Sequence, residues 1–234
     1  MDKTPDAEIS THIVEIRYQS NLNVLDHRGA WAQEMAELMG LTKWQIGPDR
    51  LDVSDADSRE SCFVAVKNAG YVIQDPSTAN EFAERASRFV KELLQRQGFA
   101  KPLPIARIGV RSQFCRRFDG EFTDLLERFQ SRYLSLTREA HKVVGAKLVG
   151  MGAPVNFLDE HGHFNTNCSP MVEEQIAQLF TRKSTLPRVG LYYDIDYWKR
   201  DVQLDAKDIL SLIRTFAKVG WSRRIQTMDL ILRD

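Results

Sequence analysis

The order of secondary-structure signals most constrains the fold, because it runs twice along the chain. The segment Lys101-Pro102-Leu103-Pro104 separates the two runs, since two prolines in four residues interrupt a regular element. On each side the patterns predict a strand, a helix, further strands and a helix. We assign residues 11–100 to the first half and 105–234 to the second, after a flexible leader over 1–10. Together the halves are expected to form one compact domain.

Apolar and polar residues alternate from His12 to Gln19, which is the period of a strand with one buried face. The other signals of this half are a helix from Asp26 to Gly40, a weaker strand over Lys43–Val53, a hairpin over Cys62–Gln74 that turns at Asn68–Gly70, and a helix that starts at a Thr78/Glu81 capping box and ends at Gly98.

The second half repeats this order. Its signals are a strand over Ile105–Phe114, a helix from Asp119-Gly120, strands over Val143–Phe164 that turn at Asp159–Gly162, a strand over Arg188–Trp198, a helix from Asp205 to Gly220, and an apolar tail over Met228–Leu232. The patterns predict an α+β fold, in which pseudo-duplicated β-α-β-β-α units form a mostly antiparallel sheet with helices on one face. A true duplication and a coincidence of common element order both remain open.

Composition excludes several classes of protein. The 234 residues carry 32 basic and 32 acidic side chains. The net charge of zero argues against a protein whose whole surface binds nucleic acid or an anionic membrane. The apolar fraction of 43% suffices for a packed core. Three dispersed cysteines, a polar N-terminus and short apolar runs predict a reduced, cytoplasmic protein without membrane association.

Two carboxylates, Asp194 and Asp196, share one face of a predicted strand, because strand side chains alternate with period two. Two acids on one face can hold Mg²⁺ or Mn²⁺, as metal-dependent nucleases require. Arg107 and Arg111 share a strand face in the same way. We favour cross-strand charge pairs between the two sets, because no third ligand stands at a recognisable spacing.

His161, His163 and Cys168 form a second metal-like cluster. Two histidines on a strand can chelate zinc, but the predicted turn and the missing fourth ligand favour a solvated hairpin. We expect the remaining histidines, His12, His27 and His141, to be polar surface. Since the sequence contains no complete phosphate-binding or nucleophile motif, we predict no cofactor.

Arg116 and Arg117 lie between Phe114 and Phe118 in a basic, aromatic segment. Such a segment can clamp and stack single-stranded nucleic acid. Acidic residues follow it directly, which favours a charged strand that leads into a helix N-terminus.

Three strand motifs together resemble a sporadically distributed family of uncharacterised prokaryotic proteins. They are Ile13-Val-Glu-Ile-Arg17, Arg107-Ile-Gly-Val-Arg111 and Tyr193-Asp-Ile-Asp196, and the similarity covers about residues 10–220. Members usually place Tyr and Asn after the Arg-x-Gly-x-Arg strand, where this chain has Ser112-Gln113. The family has no established activity, so the resemblance implies an architecture and a patchy bacterial distribution.

The sequence carries signals for a complete fold but no complete set of catalytic residues. This combination predicts a non-enzymatic binding or adaptor protein of the bacterial cytoplasm. The patchy distribution points to a defence or mobile-element system. The expected partner is another protein or a second copy of the chain, with nucleic acid less favoured. A metal-dependent nucleic-acid-processing enzyme using Asp194 and Asp196, and an RNA-binding module, remain alternatives. The predicted binding face consists of Arg107, Arg111, Arg116, Arg117, Asp194 and Asp196.

Overall fold

A computed structural model describes residues 8–99, 103–133, 145, 148–180 and 186–233. These residues form nine strands and five helices, all strand pairs being antiparallel, so the predicted α+β class is confirmed. The elements are β1 (Glu8–Tyr18), α1 (Asn23–Met39), β2 (Lys43–Ile46), β3 (Arg50–Ser54), β4 (Glu60–Ala65), β5 (Asn68–Gln74), α2 (Ala79–Leu93), β6 (Leu103–Arg117), α3 (Phe122–Tyr133), β7 (Ala153–Leu158), β8 (His163–Val172), α4 (Glu173–Leu179), β9 (Val189–Leu204) and α5 (Ala206–Leu232).

The strands form one sheet in the order β2-β3-β4-β5-β1-β6-β9-β8-β7. The first strands of the two halves, β1 and β6, are neighbours at its centre, where Glu8 lies opposite Arg116 and Arg17 opposite Arg107. β6 pairs on its other side with β9. Each half therefore keeps its strands on its own side of the sheet. A duplication would give this arrangement, and the duplication itself stays a prediction.

Four helices, α1, α2, α3 and α5, cover one face of the sheet. Alternate strand residues point toward them, among them Val14 and Ile16 of β1 and Ile108 and Val110 of β6, and form the core with the helices' apolar sides. The short helix α4 packs on the opposite side, where its Ile176 joins a small buried cluster. No other described helix lies there, and we call the rest of that side the open face.

Helix α1 begins at Asn23 and not at Asp26. The side-chain oxygen of Asn21 accepts a hydrogen bond from the backbone N–H of Asn23, at 3.1 Å, so the helix starts three residues earlier than predicted. It ends as predicted, because Gly40 adopts a left-handed φ of 70°. Thr78 caps α2 as expected, accepting from the backbone of Glu81, and α2 ends at Leu93.

The first half contains two hairpins instead of one strand and one hairpin. The segment Lys43–Val53 divides at Gly47-Pro48, where the backbone N–H of Gly47 donates to the carbonyl of Arg50 at 2.7 Å. The next turn lies between Ala65 and Asn68, earlier than predicted. Four strands therefore follow α1, and the predicted β-α-β-β-α order undercounts this half.

The boundaries of the predicted leader and of the last helix also change. Residues 8–10 belong to β1, while residues 1–7 lie outside the described chain. Helix α5 continues through Gly220 to Leu232, so the predicted apolar tail is its last turn. In the segment predicted as strands over Val143–Phe164, β7 starts only at Ala153, and some of the preceding residues lie outside the described chain.

Candidate binding face

Charge pairs link β6 and β9 on the open face. Arg107 Nη2 lies 2.6 Å from Asp196 Oδ2, and Arg111 binds Asp194 through Nη2 at 2.8 Å and Nε at 3.0 Å. Arg111 is directly opposite Asp196 in the register but pairs diagonally with Asp194. The cross-strand pairs expected from the sequence therefore form, while their role in binding stays a prediction.

The two ion pairs differ in exposure, and the more exposed one contributes little to folding. Burial raises the pKa of Asp196, and the nearby Arg107 guanidinium opposes that rise. The hydrogen bond to Asp194 raises the pKa of Arg111 above its usual value. Because the Arg111 side chain is 45% exposed, we expect its pair with Asp194 to contribute about 1 kcal/mol or less to folding.

A third carboxylate extends the network to β1 and β5. Glu15 accepts hydrogen bonds from Arg17 at 3.0 and 3.1 Å and from the Asn68 amide at 2.9 Å, and it lies 3.7 Å from Arg107. Burial alone raises the pKa of Glu15, but the hydrogen bonds from Arg17 and Asn68 outweigh it and lower the pKa. Polar contacts therefore run without a break from β5 to β9.

Arginines from three neighbouring strands stand side by side at one end of this network. Arg17 of β1 is directly opposite Arg107 of β6, which is directly opposite Arg200 of β9. The Arg200 guanidinium lies 4.4 Å from the ring centre of Trp198, whose ring also stacks on His163 at 4.7 Å. A cleft of about 340 Å³ lies above these residues.

Gly109 allows Arg107 to fold back over the sheet. A Cβ atom at Gly109 would lie 2.8 Å from Arg107 Nη1, so the guanidinium occupies the space of the missing side chain. A glycine on β5 makes room for a large side chain in the same way, because a Cβ at Gly70 would lie 2.6 Å from the ring of Phe63. Arg50 lies over that ring at 4.1 Å. Glycine thus lets large side chains lie flat on the open face.

Two of the six predicted binding-face residues do not join the others. Arg116 points to the helix side, because it shares the parity of Phe114, and it binds Glu8 at 3.0 Å and Asp229 at 2.7 Å. Arg117 lies at the strand end and pairs with Asp119 at 2.7 Å. The structure therefore brings together Arg107, Arg111, Asp194 and Asp196.

Glu15, Arg17, Trp198 and Arg200 belong to the same surface but were not predicted as site residues. Glu15 and Arg17 stand in the first strand motif of the resemblance, and Arg200 follows the Asp-x-Asp motif at the same strand parity. Strand parity was therefore a usable signal, but only the pairing of β6 with β1 on one side and with β9 on the other shows that these side chains meet.

The histidine-cysteine cluster does not converge on one point. His163 stacks on Trp198, His161 lies 3.5 Å from Glu160 in the turn, and Cys168 is buried on the helix side. Within the described ranges, no three His, Cys, Asp or Glu side chains are arranged to hold a metal ion.

The expectation that His12 is polar surface is wrong. The residue is 1% exposed, and its ring centre lies within 5.3 Å of the ring centres of Phe82, Phe114 and Trp221. Its position in the strand has the parity of Val14, which directs the side chain inward. His27 stacks on Trp31 at 5.9 Å, and His141 lies outside the described residues.

The known protein families and the curated proteins add no relative to this picture. Neither the scan against protein-family models nor the search of curated proteins finds a match for the chain. None of the described helices combines the length and apolar character needed to cross a bilayer. The fold and the site together define an α+β protein with a charged open sheet face.

Proposed function

We propose that this chain is a non-enzymatic binding protein that docks a protein partner on the open face. The observation that carries the proposal is the network of paired arginines and carboxylates that crosses four central strands of the sheet. Its members are fixed by hydrogen bonds, yet the Arg17 side chain is 55% exposed and the Arg111 side chain 45%. Ordered charges of both signs favour a partner whose surface has the complementary pattern.

The contacts of the aspartates favour binding over metal-dependent catalysis. The Asp194 carboxylate receives three hydrogen bonds from Arg111, and Asp196 receives one from Arg107. A divalent cation between the two aspartates would have to displace guanidinium groups whose positive charge repels it. Metal-dependent chemistry at this site would therefore need a rearrangement of both side chains.

The proposal includes a bacterial cytoplasmic setting and a link to a defence or mobile-element system, which the resemblance to the prokaryotic family supports. The partner is a different protein or a second copy of this chain. RNA binding is less favoured, because Arg116, one of the residues on which that alternative depends, is engaged by Glu8 and Asp229 on the helix side.

Partner capture followed by charge reversal tests the proposal. A partner is isolated from native cell extract or identified as a second copy by light scattering, and its Kd is measured with the purified chain. Because Arg111 is central and exposed, we expect Arg111→Glu to weaken binding by about tenfold or more. Arg50→Glu is the matched control, since Arg50 is an open-face arginine outside the network, paired with Asp52.

Equal affinity for the two variants would overturn the proposed docking surface. Two further outcomes would indicate a different function. Saturable Mg²⁺ or Mn²⁺ binding that is lost in Asp194→Asn with Asp196→Asn would indicate the metal-dependent enzyme. A salt-sensitive RNA mobility shift by the purified chain would indicate the RNA-binding module.

A further inference from the structure

We propose that Arg17, Arg107 and Arg200 bind the phosphate group of a small phosphorylated ligand in the cleft on the open face. The inference goes beyond the docking of a protein, because it assigns a small-molecule site to three arginines that lie directly opposite one another on β1, β6 and β9.

The first support is the placement of like charges. Neighbouring strands are about 4.8 Å apart, so the row extends over about 10 Å. Identical charges on directly opposed residues destabilise a sheet unless something neutralises them. A row of three arginines at the centre of the sheet is therefore an arrangement that negative charge stabilises.

The second support is the balance of that charge. Glu15 pairs with Arg17 and lies near Arg107, while Asp196 pairs with Arg107. In the part of the chain that the structure describes, Arg200 has no carboxylate within ion-pair distance and rests on the Trp198 ring. Two carboxylates thus face three guanidinium groups, which leaves one positive charge for a ligand.

The third support is the fit between the donors and a phosphate. A guanidinium group presents forked N–H donors, and a phosphate offers three acceptor oxygens, so several arginines can bind one phosphate at once. A single carboxylate, with two oxygens, satisfies fewer of these donors. The row therefore favours phosphate over carboxylate.

The fourth support is the space above the row. The cleft of about 340 Å³ is at the lower end of the size of small-molecule sites. Ile13 and Trp198 line it beside the arginines. The register of β1 against β6 shifts between Arg17 and Tyr18, next to the row, and such bulges are frequent beside binding sites.

Calorimetry with pyrophosphate as the probe, at low ionic strength, tests the inference on the purified chain. We expect saturable binding that weakens about tenfold or more in Arg200→Gln, because a charge-assisted contact is lost. Arg50→Gln is the matched control, since Arg50 also lies over an aromatic ring on the open face, at 4.1 Å from the centre of Phe63. Its affinity should stay within about twofold of the unmodified chain.

Citrate provides the carboxylate comparison, and we expect it to bind about tenfold more weakly than pyrophosphate. No saturable heat with pyrophosphate, equal losses in the two variants, or citrate that binds as tightly as pyrophosphate would each overturn the inference. These measurements need no protein partner. Failure of phosphate binding therefore leaves the Arg111→Glu docking result unchanged, and failure of docking leaves the calorimetry unchanged.

Discussion

His12 lies where β1 and β6 meet the helices α2 and α5. Its ring is enclosed by Phe82, Phe114 and Trp221, and its Nδ1 lies 2.9 Å from the hydroxyl of Ser112. Burial, with a further contribution from the Arg224 charge, lowers the pKa of His12 to about 3. The folded protein therefore keeps this imidazole neutral at physiological pH.

A neutral buried histidine makes folding stability depend on pH. The unfolded chain takes up a proton below the ordinary pKa of 6.5, whereas the folded chain does not until about pH 3, so stability is full above pH 6.5 and falls below it. Between about pH 7.5 and pH 5 this loss amounts to about 2 kcal/mol. Over this pH interval we expect the free energy of unfolding of His12→Gln to fall by about 2 kcal/mol less than that of the unmodified chain. Urea unfolding at both pH values measures the difference. Identical pH slopes would contradict the role assigned to His12.

Helix α5 shows how tertiary packing overrides a local signal. Glycine usually ends a helix by adopting a positive φ, and the sequence predicted this at Gly220. In the structure Gly220 is buried within the helix, and a Cβ there would lie 3.5 Å from Ile195 Cγ2, an ordinary contact distance. The last turn then buries Met228 and Ile231 in the core.

The continuity of α5 predicts that Gly220→Ala is stabilising. Alanine costs less backbone entropy than glycine in a helix and would meet Ile195 without a clash, so we expect a gain of about 0.5–1 kcal/mol in the free energy of unfolding. Urea denaturation measures the change, and Gly40→Ala is the control. Gly40 has a φ of 70° at the end of α1, so alanine there should destabilise. A loss of stability in Gly220→Ala would indicate that the helix stops at that residue.

Local patterns predicted the elements whose periodicity is strong and missed those set by distant contacts. Alternation located β1, β6 and β9, and parity placed Arg107 with Arg111, and Asp194 with Asp196, on shared strand faces. The seven-residue helix α4 is too short to show a period. The arginine row required the register of three strands from separate parts of the chain, which no local pattern contains.

At the scale of the whole molecule, a buried charge cluster joins the first strand to the last helix. The Glu8 and Arg224 side chains are both fully buried and form an ion pair, and Arg116 of β6 binds the second oxygen of Glu8 at 3.0 Å. The Arg224 guanidinium also lies 4.7 Å from the ring centres of Phe114 and Trp221. One carboxylate thus fixes β1, β6 and α5 against each other.

Loss of the Glu8 carboxylate should destabilise the fold. Glu8→Gln removes the buried negative charge that Arg224 and Arg116 both bind, so we expect stability to fall by about 3 kcal/mol, measured by urea unfolding. Glu121→Gln removes one partner of an exposed pair with Arg188 and should change stability by about 0.5 kcal/mol or less. Equal losses of stability in the two variants would contradict the conclusion that burial determines the contribution of the Glu8 contact.

The central position of β1 has a consequence for synthesis. β1 can pair with β5 early, but its other neighbour, β6, begins 85 residues after β1 ends. At translation rates of about 5–20 residues per second, the ribosome needs roughly 4–17 s to deliver that partner. Throughout this interval the nascent chain exposes the unpaired edge that will become the middle of the sheet, and pairings between such distant segments form slowly. Chaperone capture of the growing chain should therefore concentrate in the window between the emergence of β1 and that of β6.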